Sequence, residues 1–149
     1  MRIRAGTLFR AKSLVPARGQ ALVEAALVLP IMLMFVLGVF AVGVVGRTDA
    51  ALLAVAEEAA RAAATSTTAI DAAAHGVDRG AQVAAGYRLP NTIVTVDATD
   101  FRPGMTGGHV RADATVTVSL AGISIFGPLA ITLHHQHVEP VDPYRNVRP

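Results

Sequence analysis

The chain contains no cysteine and no tryptophan, and aromatic residues make up 5% of its 149 positions. Without cysteine there are no disulfides, no thiolate zinc sites and no cysteine nucleophile. Redox chemistry therefore says nothing about the compartment. With so few rings, the stacking platforms of single-strand nucleic-acid binders have little to be built from. Charge is scarce as well: Asp, Glu, Lys and Arg make up 16%, against about 25% in an average soluble domain. Hydrophobic residues make up 52%. Disorder requires the reverse balance. The length points to one domain, and the composition says that a membrane segment must be sought first.

A sequence pI near 9.7 resembles a nucleic-acid footprint, but its distribution argues otherwise. Arg2, Arg4, Arg10, Lys12 and Arg18 precede Gln20 with no acid among them. From Gln20 onward, eight basic residues face eleven acidic ones. A basic stretch followed by an apolar one is a targeting and topology signal. No direct nucleic-acid partner is expected.

The apolar stretch runs from Ala25 to Gly46, 22 residues without a charge. As a helix it spans roughly 33 Å, enough for a hydrocarbon core of about 30 Å. The preceding bases place the N-terminus in the cytoplasm, so everything from Arg47 onward lies outside it. Pro30 removes one helical hydrogen bond, which is tolerated where the helix packs on neighbours. Gly38, Gly43 and Gly46 form no G-x-x-x-G pair. A secretory signal peptide cut near Ala41 is an alternative, but its apolar region would be only about 7–15 residues long.

Neither a signal peptide nor a plain anchor accounts for Glu24. An acid inside an apolar helix costs about 2.5–3.5 kcal/mol at the bilayer centre and less near the interface. Such a residue marks function by default. Its possible partners are the leader bases or a new N-terminal amine made by cutting nearby.

The junction reads Arg18-Gly19-Gln20-Ala21-Leu22-Val23-Glu24. A basic leader ends in Gly, and Glu stands five residues later at the start of a long apolar helix. This resembles the processing site of type IV prepilins and pseudopilins. The run RGQALVEAALVLPIMLMFVLGVF, followed by AEEAARAAA, is similar to the TadE/TadG-like pseudopilin family of the Flp (tight-adherence) pilus system. The resemblance is strongest over residues 18–64. It implies that a prepilin peptidase cuts between Gly19 and Gln20, and that Glu24 pairs with the amine of a neighbouring subunit. Opposite charges attract more strongly away from water. Gln20 and Ala21 stand where classical type IV pilins often carry an aromatic, which favours the Tad-like branch, as does a chain longer than the Flp major pilins.

Beyond Gly46 the helix is expected to continue to Ala64, with Leu52, Leu53, Val55 and Ala56 as its apolar marks. Glu57 and Arg61 are placed to pair at i,i+4. A second helix is expected over residues 70–87, with Ile70, Ala73, Ala74, Val77, Ala81 and Ala84 on its core face. Gly76, Gly80 and Gly86 weaken that reading. The period then changes to two. Val94, Val96 and Ala98 mark one strand, residues 110–120 a second and residues 129–138 a third. The fold class is thus α+β: a long membrane-spanning helix continuing into a small head. A three-stranded antiparallel sheet is expected to fold on the second helix. The organisation expected is a leader at 1–19, a span at 20–46, an extracytoplasmic helix extension at 47–66, a head at 67–139 and an extended tail at 140–149.

The sequence holds no Gly-x-Ser-x-Gly, His-Glu-x-x-His or P-loop, and no enzyme is read from it. Asp97 and Asp100 read as turn residues. His135 and His137 share a strand face with His134 on the other. They are metal candidates that fall short of the four ligands of a structural zinc site, and no cofactor is expected. The apolar residues Ile123, Ile125, Phe126 and Leu129 are expected to fold inward.

The leading reading is a pseudopilin-like subunit in the cytoplasmic membrane, with its head outside and its final place either there or in an extracellular pilus. The resemblance implies other pilin or pseudopilin subunits, membrane platform proteins and a prepilin peptidase as partners. The alternative is an uncut single-pass envelope protein whose head binds a ligand or metal.

Overall fold

The computed structural model describes residues 18–102, 108–121 and 128–142. The basic leader before Arg18, Ile123, Ile125, Phe126 and the tail from Pro143 lie outside the described residues. Five elements follow in chain order: α1 (Arg18–Ala64), α2 (Ala69–Gly86), β1 (Ile93–Asp97), β2 (His109–Ser119) and β3 (Ala130–Pro140). The fold is α+β, as the change of period indicated. The chain divides into two units, Met1–Val36 and Leu37–Pro149, and α1 contributes to both.

In the second unit the strands form an antiparallel sheet in the order β1-β2-β3. Register follows the alternation of β2. Val110, Ala112, Ala114 and Val116 all face inward and are buried. Opposite them stand Val96 and Val94 of β1 and Glu139, His137, His135 and Leu133 of β3. A slip of one residue would turn this whole set outward. The solvent face is polar, and across it the hydroxyls of Thr117 and Thr132 lie 3.2 Å apart.

The sheet does not rest on α2 alone. The second half of α1 lies over β2, burying Leu52, Val55, Ala56, Ala59, Ala60 and Ala63. Leu52, Val55 and Ala56 pack with Ala114 and Val116, Ala59 and Ala60 with Ala112, and Ala63 and Ala64 with Val110. As α1 proceeds, β2 residue numbers fall, so the two run antiparallel. Alanine suits this place because it keeps helix propensity high while letting the backbone approach the sheet. Leu53, grouped with the apolar marks in the sequence, is partly exposed.

The packed face of α2 is the expected one only at Ala84, which is buried. Ile70 is 84% exposed and Val77 is 37% exposed, whereas Ala72, Gly76, Gly80 and Ala84 are buried. The reason is closeness. A Cβ added at Gly76 would stand 2.9 Å from both the Ala59 carbonyl oxygen and Val96 Cγ2. At Gly80 it would stand 2.7 Å from Val94 Cγ1. Two of the glycines that read as a weakness, Gly76 and Gly80, are the seam along which α2 lies against α1 and β1, whereas Gly86 is exposed.

Both ends of α2 are capped. Thr68 is extended, and its hydroxyl oxygen accepts from the Asp71 N–H at 3.1 Å. The same hydroxyl donates to the Asp71 carboxylate at 2.8 Å. Thr68→Ala is expected to cost about 1 kcal/mol, read as faster hydrogen exchange in the first turn of α2. At the other end Arg88 takes a left-handed conformation (φ 58°). The Leu89 N–H donates to the Ala84 carbonyl at 2.9 Å and the Arg88 N–H to the Ala85 carbonyl at 3.0 Å. This is a Schellman motif, with arginine where glycine is usual.

Beyond the sheet, Glu139 and Pro140 still belong to β3, and Val141 is buried beside Ala63 and Val110. Leu129 is 51% exposed and does not fold inward.

Candidate functional site

Two places held candidate residues: the start of α1 and the histidines of β3. At the start of α1, Gly19 is exposed, and a Cβ built there would meet nothing within 4 Å. Gln20 and Glu24 are one helical turn apart, and Gln20 Nε2 donates to Glu24 Oε1 at 3.1 Å. An amine at Gln20 would share that turn with the carboxylate. All three residues named in the sequence thus lie on one exposed helical segment. The described residues from Gly19 through Val36 are all exposed, including Leu29, Ile31 and Phe35. Among the described residues, α1 is the one helix long and apolar enough to cross a membrane, and none of its most apolar window is buried. Such a surface is unfavourable in water and suited to lipid or to partner helices.

The histidines are arranged differently. His135 and His137 do share the helix-facing side of β3, opposite Ala114 and Ala112. Each turns to a separate carboxylate. His135 Nε2 donates to Asp49 Oδ1 of α1 at 2.8 Å, and His137 Nε2 donates to Glu139 Oε2 at 3.1 Å. An ionised carboxylate only accepts, so the imidazole nitrogen in each pair carries the proton. His134, on the other face, pairs with Asp113 at 3.2 Å. Among the described residues no three His, Asp or Glu side chains come close enough together to hold a metal ion. The contact between Asp49 and His135 joins α1 to β3 across 86 positions of sequence. No local signal marks it.

Asp97 and Asp100 behave as turn residues. Asp97 Oδ1 accepts from the Thr99 N–H at 2.9 Å, and this bond holds its carboxyl below the usual carboxylate range. Asp100 takes Arg102 Nε at 2.9 Å and His109 Nδ1 at 2.8 Å. The helical ion pair also differs from the expected one. Arg61 reaches Glu58 at 3.2 Å, and Arg79 of α2 reaches the same carboxylate at 3.0 Å. Glu58 is preferred over Glu57 because it stands where α2 can supply a second guanidinium.

The uncovered apolar first part of α1 is thus the main candidate surface among the described residues. Residues 19–61 match the model of the TadE-like protein family. The match starts at Gly19, follows α1 and ends before α2, covering less than a third of the chain. No curated protein and no solved structure gives a significant match. Residues 19–61 are thus similar to TadE-like proteins, and α1 has the length and composition of a membrane-crossing helix. Glu58 and Arg61 lie inside this segment, whereas Arg79 and the sheet lie beyond it.

Proposed function

We propose that the chain is a pseudopilin-like structural subunit of a Tad-type pilus machine. Residues 20–46 cross the cytoplasmic membrane with the leader inside and the α+β head outside. A prepilin peptidase cuts between Gly19 and Gln20, leaving Glu24 one turn from the new amine. The work of the subunit is packing between helices, with other pilin-like subunits and membrane platform proteins as partners. It helps assemble or prime the pilus.

The observation that carries this reading is the overlap of the TadE-like match, residues 19–61, with the uncovered apolar part of α1. The exposure of Gly19 supports it, since a protease needs close access to the backbone. The test is co-expression with the cognate membrane peptidase, followed by mass spectrometry of the mature N-terminus. A chain beginning at Gln20, with Gly19→Ala left uncut, is the expected result. A chain that keeps the leader in the presence of active peptidase would overturn the pseudopilin reading in favour of an uncut envelope protein.

A further inference from the structure

The twenty residues Ala114–Leu133 contain no Asp, Glu, Lys or Arg. They are the second half of β2, the connection to β3 and the first part of β3. The place of the described ones, 114–121 and 128–133, in the Leu37–Pro149 unit follows from packing. Because β2 runs antiparallel to α1, Val110 lies beside Ala63 and Ala64, whereas Val116 lies beside Leu52 and Val55. Leu120, whose N–H donates to the Leu129 carbonyl at 2.7 Å, is therefore at the end of the unit nearest Gly46, where the apolar run stops. The end of α2 is there too, since Val83, Ala84 and Leu89 pack in the Leu52 group. The opposite end carries Asp97, Asp100, Arg102, Glu139 and Asp142.

At the Gly46 end the exposed side chains are of another kind. Leu129 and Tyr87 are each 51% exposed. Arg88, next to Tyr87 in the chain, and Arg47, next to Gly46, are exposed as well, and neither pairs with a carboxylate among the described residues. The acid of this end, Asp49, accepts from His135. Arg88 holds a left-handed conformation that costs a side-chain-bearing residue about 1 kcal/mol or more and costs glycine nothing. A cation is kept where the backbone alone would favour glycine.

We propose that this end of the unit is a second membrane contact. Tyr87, Arg88, Arg47 and Leu129 seat it on the anionic lipid surface from which α1 emerges. The proposal rests on the reading of α1 as a membrane span. Leu52 is six residues past Gly46, about 9 Å of helix rise. The polar layer on each side of a bilayer is about 5–8 Å thick, so the Leu52 level stands just above it, and the long side chains of Arg88 and Tyr87 bridge the remainder. Tyrosine is enriched at that depth, arginine is drawn to anionic lipid, and an exposed leucine gains by entering the boundary. The charged far end has no such composition.

The absence of tryptophan makes a single introduced one an unambiguous probe. The full chain is placed in vesicles of phosphatidylcholine with phosphatidylglycerol, and quenching by brominated lipid is measured. Leu129→Trp reports the proposed contact, Thr67→Trp the far end of the unit, and Val39→Trp the span itself. Quenching at Leu129→Trp is expected to be at least about twofold that at Thr67→Trp. Adding Arg88→Gln should reduce this excess in anionic vesicles. Strong quenching of Val39→Trp with equal values at positions 129 and 67 would overturn the contact and leave the span standing. An unquenched Val39→Trp would remove the span, and the contact with it.

Discussion

Gly76→Leu is expected to destabilise the Leu37–Pro149 unit by about 2–3 kcal/mol, the upper range for overpacking a close-packed interior. The first carbon of the new side chain would meet the Ala59 carbonyl oxygen and Val96 Cγ2 at 2.9 Å. A carbonyl of α1 cannot rotate away as a side chain can, so α2 must lift off. Lifting it opens the contacts of Ala72 and Gly80 at the same time. Leucine is a better helix former than glycine by about 1 kcal/mol, which offsets only part of this. The measurement is hydrogen exchange of the β2 amides in the full chain in detergent micelles. Ile70→Ser is the control, expected within about 0.5 kcal/mol because it touches an exposed position. If Ile70→Ser proved the more damaging change, α2 would have to pack through its larger apolar residues, and the seam described here would be wrong.

The second large effect belongs to Leu52. It is fully buried and joins three elements, packing with Ala84 of α2 and with Ala114 and Val116 of β2. Leu52→Ala should cost about 3 kcal/mol, transfer and cavity together. Leu53→Ala, one residue on and partly exposed, should cost less than about 1 kcal/mol. The same exchange experiment reads both. Equal effects would mean that the second half of α1 is an external extension and not a layer of the core. This bears on the proposed function, because a helix that is both the proposed span and a layer of the core would couple a pull on the span to the fold.

Much of this architecture is local and was legible without coordinates. The span is a run of uncharged residues after five bases, and composition alone reveals it. The strand β2 alternates strictly from Val110 to Leu120, so its face could be read from its period. The junction at Gly19, Gln20 and Glu24 lies within a single helical segment, where spacing is nearly the whole geometry.

The buried face of α2 was not legible in the same way. Two stripes compete on that helix, one of larger residues through Ile70 and Val77, the other through Ala72, Gly76, Gly80 and Ala84. Hydrophobicity favours the first, and shape favours the second. Shape is decided by Ala59 on α1 and by Val94 and Val96 on β1, which are distant in sequence. The same holds for Glu58 over Glu57, chosen by Arg79 of another helix, and for Asp49 with His135, brought together only when β3 closes on α1. By itself the sequence determined the long apolar helix and the element types, because these depend on period and composition over short windows. Only the tertiary structure decided which faces meet and which charges pair, because those depend on how closely surfaces far apart in the chain can approach.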